Sequence, residues 1–185
     1  MFSRLSLLFL FLFVLLVYLP QNVVHSATIV SYENTESKEI PTVALLSPIE
    51  SSINAAGLKS SLSSNAVVTV QVWLVHNYNA NLIFYLYGPD GSDITLSYHR
   101  GWMYENVFDG TLFTDSASTS VTGVLTFLGN GVVSPLKPEE KLSYFRGKNP
   151  NGQWKLSVSN ALAVGNGFLN GFTLNIQGFF FVLQS

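Results

Sequence analysis

The stretch Val67 to Gly91, VVTVQVWLVHNYNANLIFYLYGPDG, constrains the fold more than any other part of the chain. Val68, Val70, Val72, Leu74 and His76 fall on one parity, and Thr69, Gln71, Trp73 and Val75 on the other. A two-residue period with one apolar side predicts a core strand. After the polar break His76 to Ala80, the run Asn81 to Tyr87 is apolar on both parities and predicts a second buried strand. It stops at Gly88-Pro89-Asp90-Gly91, where proline pre-sets φ for a type I turn and glycine tolerates the exit geometry.

The 185 residues are enough for one domain with a core of its own. Aromatic residues make up 14% and charged residues only 11%, and no stretch after residue 26 shows a helical period, so the composition favours an all-β sandwich or barrel. Lys and Arg total 9 against 11 acids with no basic cluster, which excludes a nucleic-acid footprint. Cysteine is absent, and no Asn-x-Ser/Thr sequon occurs.

Residues 1–26 read as a secretory signal peptide. Arg4 opens it, Leu5 to Leu19 is apolar apart from Ser6, Pro20 breaks it, and a cut is expected ahead of Ala27. As a helix, that run of about 15 residues spans roughly 22 Å, short of a hydrocarbon core of about 30 Å, so a stable membrane span is not expected. The mature chain then has 8 bases and 11 acids, a net charge of −3, and a secreted location is expected.

Along the mature chain, residues 27–39 read as a loosely held polar lead and Ile40 to Leu46 as a short strand. Ser47 to Asn65 is a serine-rich loop around a weakly alternating piece, Gly57 to Leu62. Ile94, Leu96 and Tyr98 alternate with Asp93, Thr95 and Ser97, a strand with one wet face. His99 to Asp109 has no period and is placed in a long surface excursion. Leu112 and Phe113 start a further strand, and Val121 to Leu128 is another, ending at the turn Asn130-Gly131. Pro135 and Pro138 keep Val132 to Glu140 out of any central strand. Trp154, Leu156 and Val158 alternate after a dense turn cluster, and Phe172, Leu174 and Ile176 mark the last clear strand. The apolar tail 179–185 has no assigned role.

Three blocks resemble a known family. They are His76-Asn77-Tyr78 with Asn81-Leu82 and Gly88-Pro89-Asp90-Gly91; Phe145-Arg146-Gly147 with Asn149-Pro150-Asn151-Gly152-Gln153-Trp154-Lys155-Leu156; and Leu169-Asn170-Gly171-Phe172. In that order they are similar to the P domain (P/Homo B domain) of kexin- and furin-like subtilisin proprotein convertases, over residues 40–178. The resemblance implies a galactose-binding-like jelly-roll β-sandwich of about eight strands, in agreement with the reading from periodicity. Asn81 and Asn160 stand where the family usually has aspartate, Lys148 where glutamate is frequent and Phe172 where tryptophan is usual. Carboxylate-dependent roles at those positions lose their carboxylates.

Catalysis by an activated serine requires a histidine oriented by a carboxylate. Beyond residue 26 the histidines are His76, which reads as a hydrogen-bonded structural residue, and His99, which reads as a surface polar residue. No Gly-Thr-Ser-x-Ala nucleophile stretch is present, so no catalytic residues are assigned. Asp90 and Asp93 flank a turn, and Glu105, Asp109 and Asp115 occupy the excursion. This oxygen set raises the expectation of a structural calcium, while turn capping and solubility account for the same aspartates. His99, Arg100, Trp102, Tyr104 and Phe108 crowd one loop, an aromatic platform beside polar groups that suits a sugar or peptide and equally suits packing over the end of the sandwich.

Three functions follow as expectations. The first is a secreted, free-standing, non-catalytic P-domain protein that binds a subtilisin-like protease domain or another extracellular partner. The second is a carbohydrate-binding adhesive jelly roll. The third is a piece of a kexin-like serine endopeptidase.

Overall fold

Alternation in the sequence becomes inward and outward faces in the structure, a computed structural model that describes residues 26–42, 48–123, 125–128, 131–162 and 164–180. The strands among them are β1 (Ser26–Asn34), β2 (Lys38–Ile40), β3 (Ile49–Ala55), β4 (Val67–His76), β5 (Leu82–Tyr87), β6 (Asp93–Tyr98), β7 (Phe108–Phe113), β8 (Gly152–Asn160) and β9 (Gly167–Phe180). One sheet runs β1-β9-β4-β7, with β2 also paired to β9, and the other runs β3-β8-β5-β6. The pairings of β2 with β9, β3 with β8, β4 with β7 and β9, and β5 with β6 and β8 are antiparallel. Strands β2 to β9 therefore lie as β2-β9-β4-β7 over β3-β8-β5-β6, a jelly roll, with β1 added at one edge. The expected all-β sandwich is present, and residues Ala27–Phe179 form one compact unit.

The core lies between the sheets. Val68, Val70, Val72 and Leu74 of β4 are at most 3% exposed, and His76 continues their parity into the interior. They face Phe84 and Leu86 of β5 and Trp154, Leu156 and Val158 of β8 in one cluster. Tyr85 and Tyr87 alternate outward on β5, so this strand is buried on one face and half-covered on the other, where a wholly buried strand was expected. The turn expected after it closes through Gly91 N–H to Gly88 carbonyl at 3.0 Å. Gly91 has φ +79°, the left-handed conformation that glycine adopts most readily. Edge-to-face rings pack the interior: Phe84 of β5 meets Phe108 of β7 across the two sheets at 4.9 Å, and Phe145 of the 3-10 turn Leu142–Phe145 meets Trp154 of β8 at 4.7 Å.

Several expectations from periodicity are corrected. The polar lead 27–39 is not loose, because β1 and β2 within it pair with β9; polar side chains suit a strand exposed on its outer face. Of the expected strand Ile40 to Leu46, Ile40 ends β2, Pro41 and Thr42 lie outside any strand, and 43–47 lie outside the described residues. The serine-rich loop contains β3, whose inward parity passes through the small buried Ser51 and so shows no apolar period; Gly57 to Leu62 is not a strand. In β6 the register shifts opposite Phe84 and Tyr85, turning Ser97 inward and Tyr98 outward. The excursion ends earlier than expected, since β7 begins at Phe108 and its last residues are Leu112 and Phe113. In place of the expected strand Val121 to Leu128 there are turns on either side of Val124, which lies outside the described residues: Thr126 N–H bonds the Gly123 carbonyl and Thr126 Oγ1 donates to the Ser120 carbonyl at 2.6 Å. Local bonds of this kind compete with a strand ladder. Residues 1–25, Asn130 and 181–185 lie outside the described residues, so the leader, that turn and most of the apolar tail do too; β9 itself runs to Phe180.

Side chains and irregular segments close the sandwich at its edges. Lys38 Nζ donates to the Glu50 carbonyl (2.9 Å) and Asn34 Nδ2 to that of Ser52 (2.9 Å) on β3, and Tyr32 OH donates to the Ala56 carbonyl just beyond it (2.6 Å). On the opposite side the segment 134–140 first bonds β7, through Leu136 N–H to the Leu112 carbonyl at 2.8 Å. It then crosses to β6, where Glu140 N–H bonds the Thr95 carbonyl at 3.0 Å. The carboxylates of Glu139 and Glu140 accept the Tyr98 and Thr95 N–H groups at 2.8 and 2.6 Å. Strand edges covered in this way are not templates for aggregation. Among the described residues, no helix is long and apolar enough to cross a membrane.

Candidate binding groove

The β6–β7 connection, residues 99–107, is irregular yet firmly held. His99, Trp102 and Asn106 have φ of 55°, 54° and 55°, and Gly101 has φ of 92°. Three non-glycine residues in left-handed conformation within eight positions is an uncommon concentration of strain. Bonds to the β4–β5 connection hold it: Ala80 N–H to the Trp102 carbonyl at 2.7 Å, Asn106 N–H to the His76 carbonyl at 3.0 Å and Asn79 Nδ2 to the Tyr104 carbonyl at 2.5 Å. Gly101 sits where a Cβ would come within 2.7 Å of Asn79 Cβ and 2.8 Å of Val107 Cγ2, so the chain passes too close for any side chain.

This loop, residues 121–123 and Phe127 line a groove of about 370 Å³. Its walls include Tyr78, Arg100, Trp102, Thr122 and Phe127. Trp102 is 49% exposed, and Met103 beside it is 65% exposed. Arg100 Nε donates to Glu139 Oε1 at 2.9 Å, which neutralises the charge at the groove wall. His99 stacks edge-on against Tyr98 at 4.5 Å, and its Nδ1 lies 2.8 Å from the Ala80 carbonyl. Of the expected platform, His99, Arg100 and Trp102 come together here, whereas Tyr104 is half-buried against the core. Phe108 is wholly buried as the first residue of β7 and packs on Phe84, so its placement on an exposed platform is corrected. Tyr78, Thr122 and Phe127 are beyond the sequence reading, since Ala80 and Gly123 stand 43 positions apart and no local pattern announces their approach.

Beneath the loop lies a buried polar cluster. His76 Nδ1 accepts the Tyr78 N–H at 3.0 Å, so the neutral ring carries its proton on Nε2, 3.5 Å from the Asn160 amide. Desolvation by burial holds the His76 pKa below the usual histidine value. Asn81 and Asn160 both donate through Nδ2 to the Val164 carbonyl, at 2.7 and 3.2 Å, fixing the β8–β9 connection. Neither His76 nor His99 pairs with a carboxylate among the described residues.

The carboxylates considered for calcium are dispersed. Asp90 accepts the Ser92 N–H at 3.1 Å and pairs with Lys148 at 3.3 Å, and these contacts, the Ser92 hydroxyl first, hold its carboxyl below the usual aspartate value. Asp115 receives Leu142 N–H and Ser143 N–H at 2.8 Å each, capping the 3-10 turn Leu142–Phe145. Asp93, Glu105 and Asp109 are exposed on β6, the loop and β7. Among the described residues, no three His, Cys, Asp or Glu side chains gather as a metal-holding group.

Two antiparallel sheets joined in this order, with an irregular loop held at one end, define a jelly-roll β-sandwich domain. Residues 65–176 match the model of the proprotein convertase P-domain, and the chain belongs to that family. The expected resemblance is therefore correct. Among solved structures, the chain is similar to the serine protease of Aeromonas sobria at 17% identity and a TM-score of 0.43, covering 82% of this chain and 27% of that one. It is similar to the same protease in complex with its chaperone at 17% identity and a TM-score of 0.43, covering 91% of this chain and 29% of that one. The chain thus spans less than a third of the length of those proteins. No curated protein matches it.

Proposed function

We propose that the chain is a secreted, non-catalytic accessory domain that docks against the catalytic domain of a subtilisin-like serine protease. The observation that carries this reading is the P-domain match over residues 65–176. The outer face of β5 and β6 supports it, because Tyr85, Tyr87 and Tyr98 present aromatic surface of the kind enriched at protein interfaces. The apolar leader before Ala27 supports export. Affinity capture from the organism's secreted fraction, with the mature chain as bait, tests the reading. Retention of a subtilisin-like protease by the natural chain, and its loss on Tyr87→Glu, is the expected result. Recovery of no such protease, or equal recovery with the variant, would reject the protease partner or the docking face respectively.

A further inference from the structure

Trp102 is a large apolar side chain that the core does not use. Its ring is 49% exposed while its backbone holds φ 54°, and the Ala80 N–H fixes its carbonyl at 2.7 Å. Strain retained at an exposed aromatic, with the surrounding structure built to hold it, points to a role in binding. The groove it lines has the volume of a small-molecule site. Arg100 is the charged residue in that lining, and Glu139 already balances it at 2.9 Å, so an anionic or cationic ligand finds no counter-charge. What remains is an indole face, the guanidinium N–H groups that Glu139 does not take, the Thr122 hydroxyl, which pairs with the Ser120 hydroxyl at 2.9 Å and keeps further hydrogen-bonding capacity, and His99 Nε2, an acceptor when Nδ1–H bonds the Ala80 carbonyl.

An apolar plane ringed by neutral donors and acceptors matches a pyranose ring, which carries C–H groups on a face and hydroxyls around its rim. We propose that this groove is a binding site for a neutral saccharide, stacked on Trp102 and oriented by Arg100, Thr122 and His99. The site lies at the loop end of the sandwich and does not depend on the protease-docking reading.

The test is a titration of tryptophan emission in the full chain with cellobiose, lactose, mannobiose and chitobiose, followed by an array of neutral, sialylated and sulfated glycans. The expected result is saturable binding of at least one neutral glycan. Trp102→Gly removes the ring and relieves the left-handed strain, so its melting temperature stays equal or rises while affinity falls at least tenfold. Trp102→Asn, which also tolerates that conformation, gives the same loss and covers the case in which the glycine variant folds poorly. Binding confined to acidic glycans, absence of neutral-glycan binding, or unchanged affinity in both variants overturns the proposal. Because Trp154 is 1% exposed, its emission reports that the fold is intact.

Discussion

His76 shows how one residue serves the fold through its neutral form. It closes the apolar parity of β4, is 1% exposed, and accepts the Tyr78 N–H through Nδ1. Burial lowers its pKa, so below about pH 6.5 the unfolded chain takes up a proton that the folded chain resists. Its stabilising contribution is therefore complete above that pH and declines as the pH falls toward the folded-state value, with a slope of at most about 1.4 kcal/mol per unit. Urea denaturation of the natural chain and of His76→Gln at intervals between pH 7 and 5 should show a steeper acid loss in the natural chain; parallel curves would reject the assignment. Gly101 is a second residue whose identity is dictated by its surroundings. A Cβ there would meet Asn79 and Val107 at less than 3 Å on a φ of 92°, so Gly101→Ala should destabilise by roughly 2 kcal/mol or more in chemical denaturation. His76 and its core parity are visible in the sequence, whereas Gly101 looks like any loop glycine until Asn79 and Val107 are seen beside it.

Among the elements, β1 and β2 do the work that polar sequence disguises. They pair with β9, and their Tyr32, Asn34 and Lys38 side chains cap three carbonyls on or just beyond β3. Removing residues 27–39 opens both edges at once. The expected outcome is a lower melting temperature and faster aggregation in light scattering on incubation at moderate temperature; a shortened chain as stable and soluble as the natural one would show that these strands are dispensable. The opposite edge depends on 134–140, where Pro135 and Pro138 rule out an inner strand yet allow a covering segment.

At the scale of the molecule, nearly every strand pairing joins distant parts of the chain. Strand β9 contacts β1, β2 and β4, and β8 contacts β3 and β5, so both sheets are completed by the last fifth of the chain. Loop closure over such separations slows folding, and β9 occupies an inner position of its sheet. A chain ending before Gly167 should therefore show no cooperative unfolding transition by circular dichroism and should be cut rapidly by protease. A sharp transition in that variant would mean that β4 and β7 hold together without β9.

By itself the sequence determined the core strands β4, β5, β8 and β9, the turn at Gly88 to Gly91, the all-β class and the family, because alternation and turn chemistry are local signals written within a few residues. Tertiary structure decided the rest. Ser51 hides the period of β3, exposed polar strands carry no apolar period, and a bulge turns Ser97 inward in place of Tyr98. The groove at Trp102 likewise exists through the approach of Tyr78 and Ala80, 99–103, 121–123 and Phe127. Edges and grooves are made by residues far apart in the chain, and contacts of that kind leave no periodic trace in either partner.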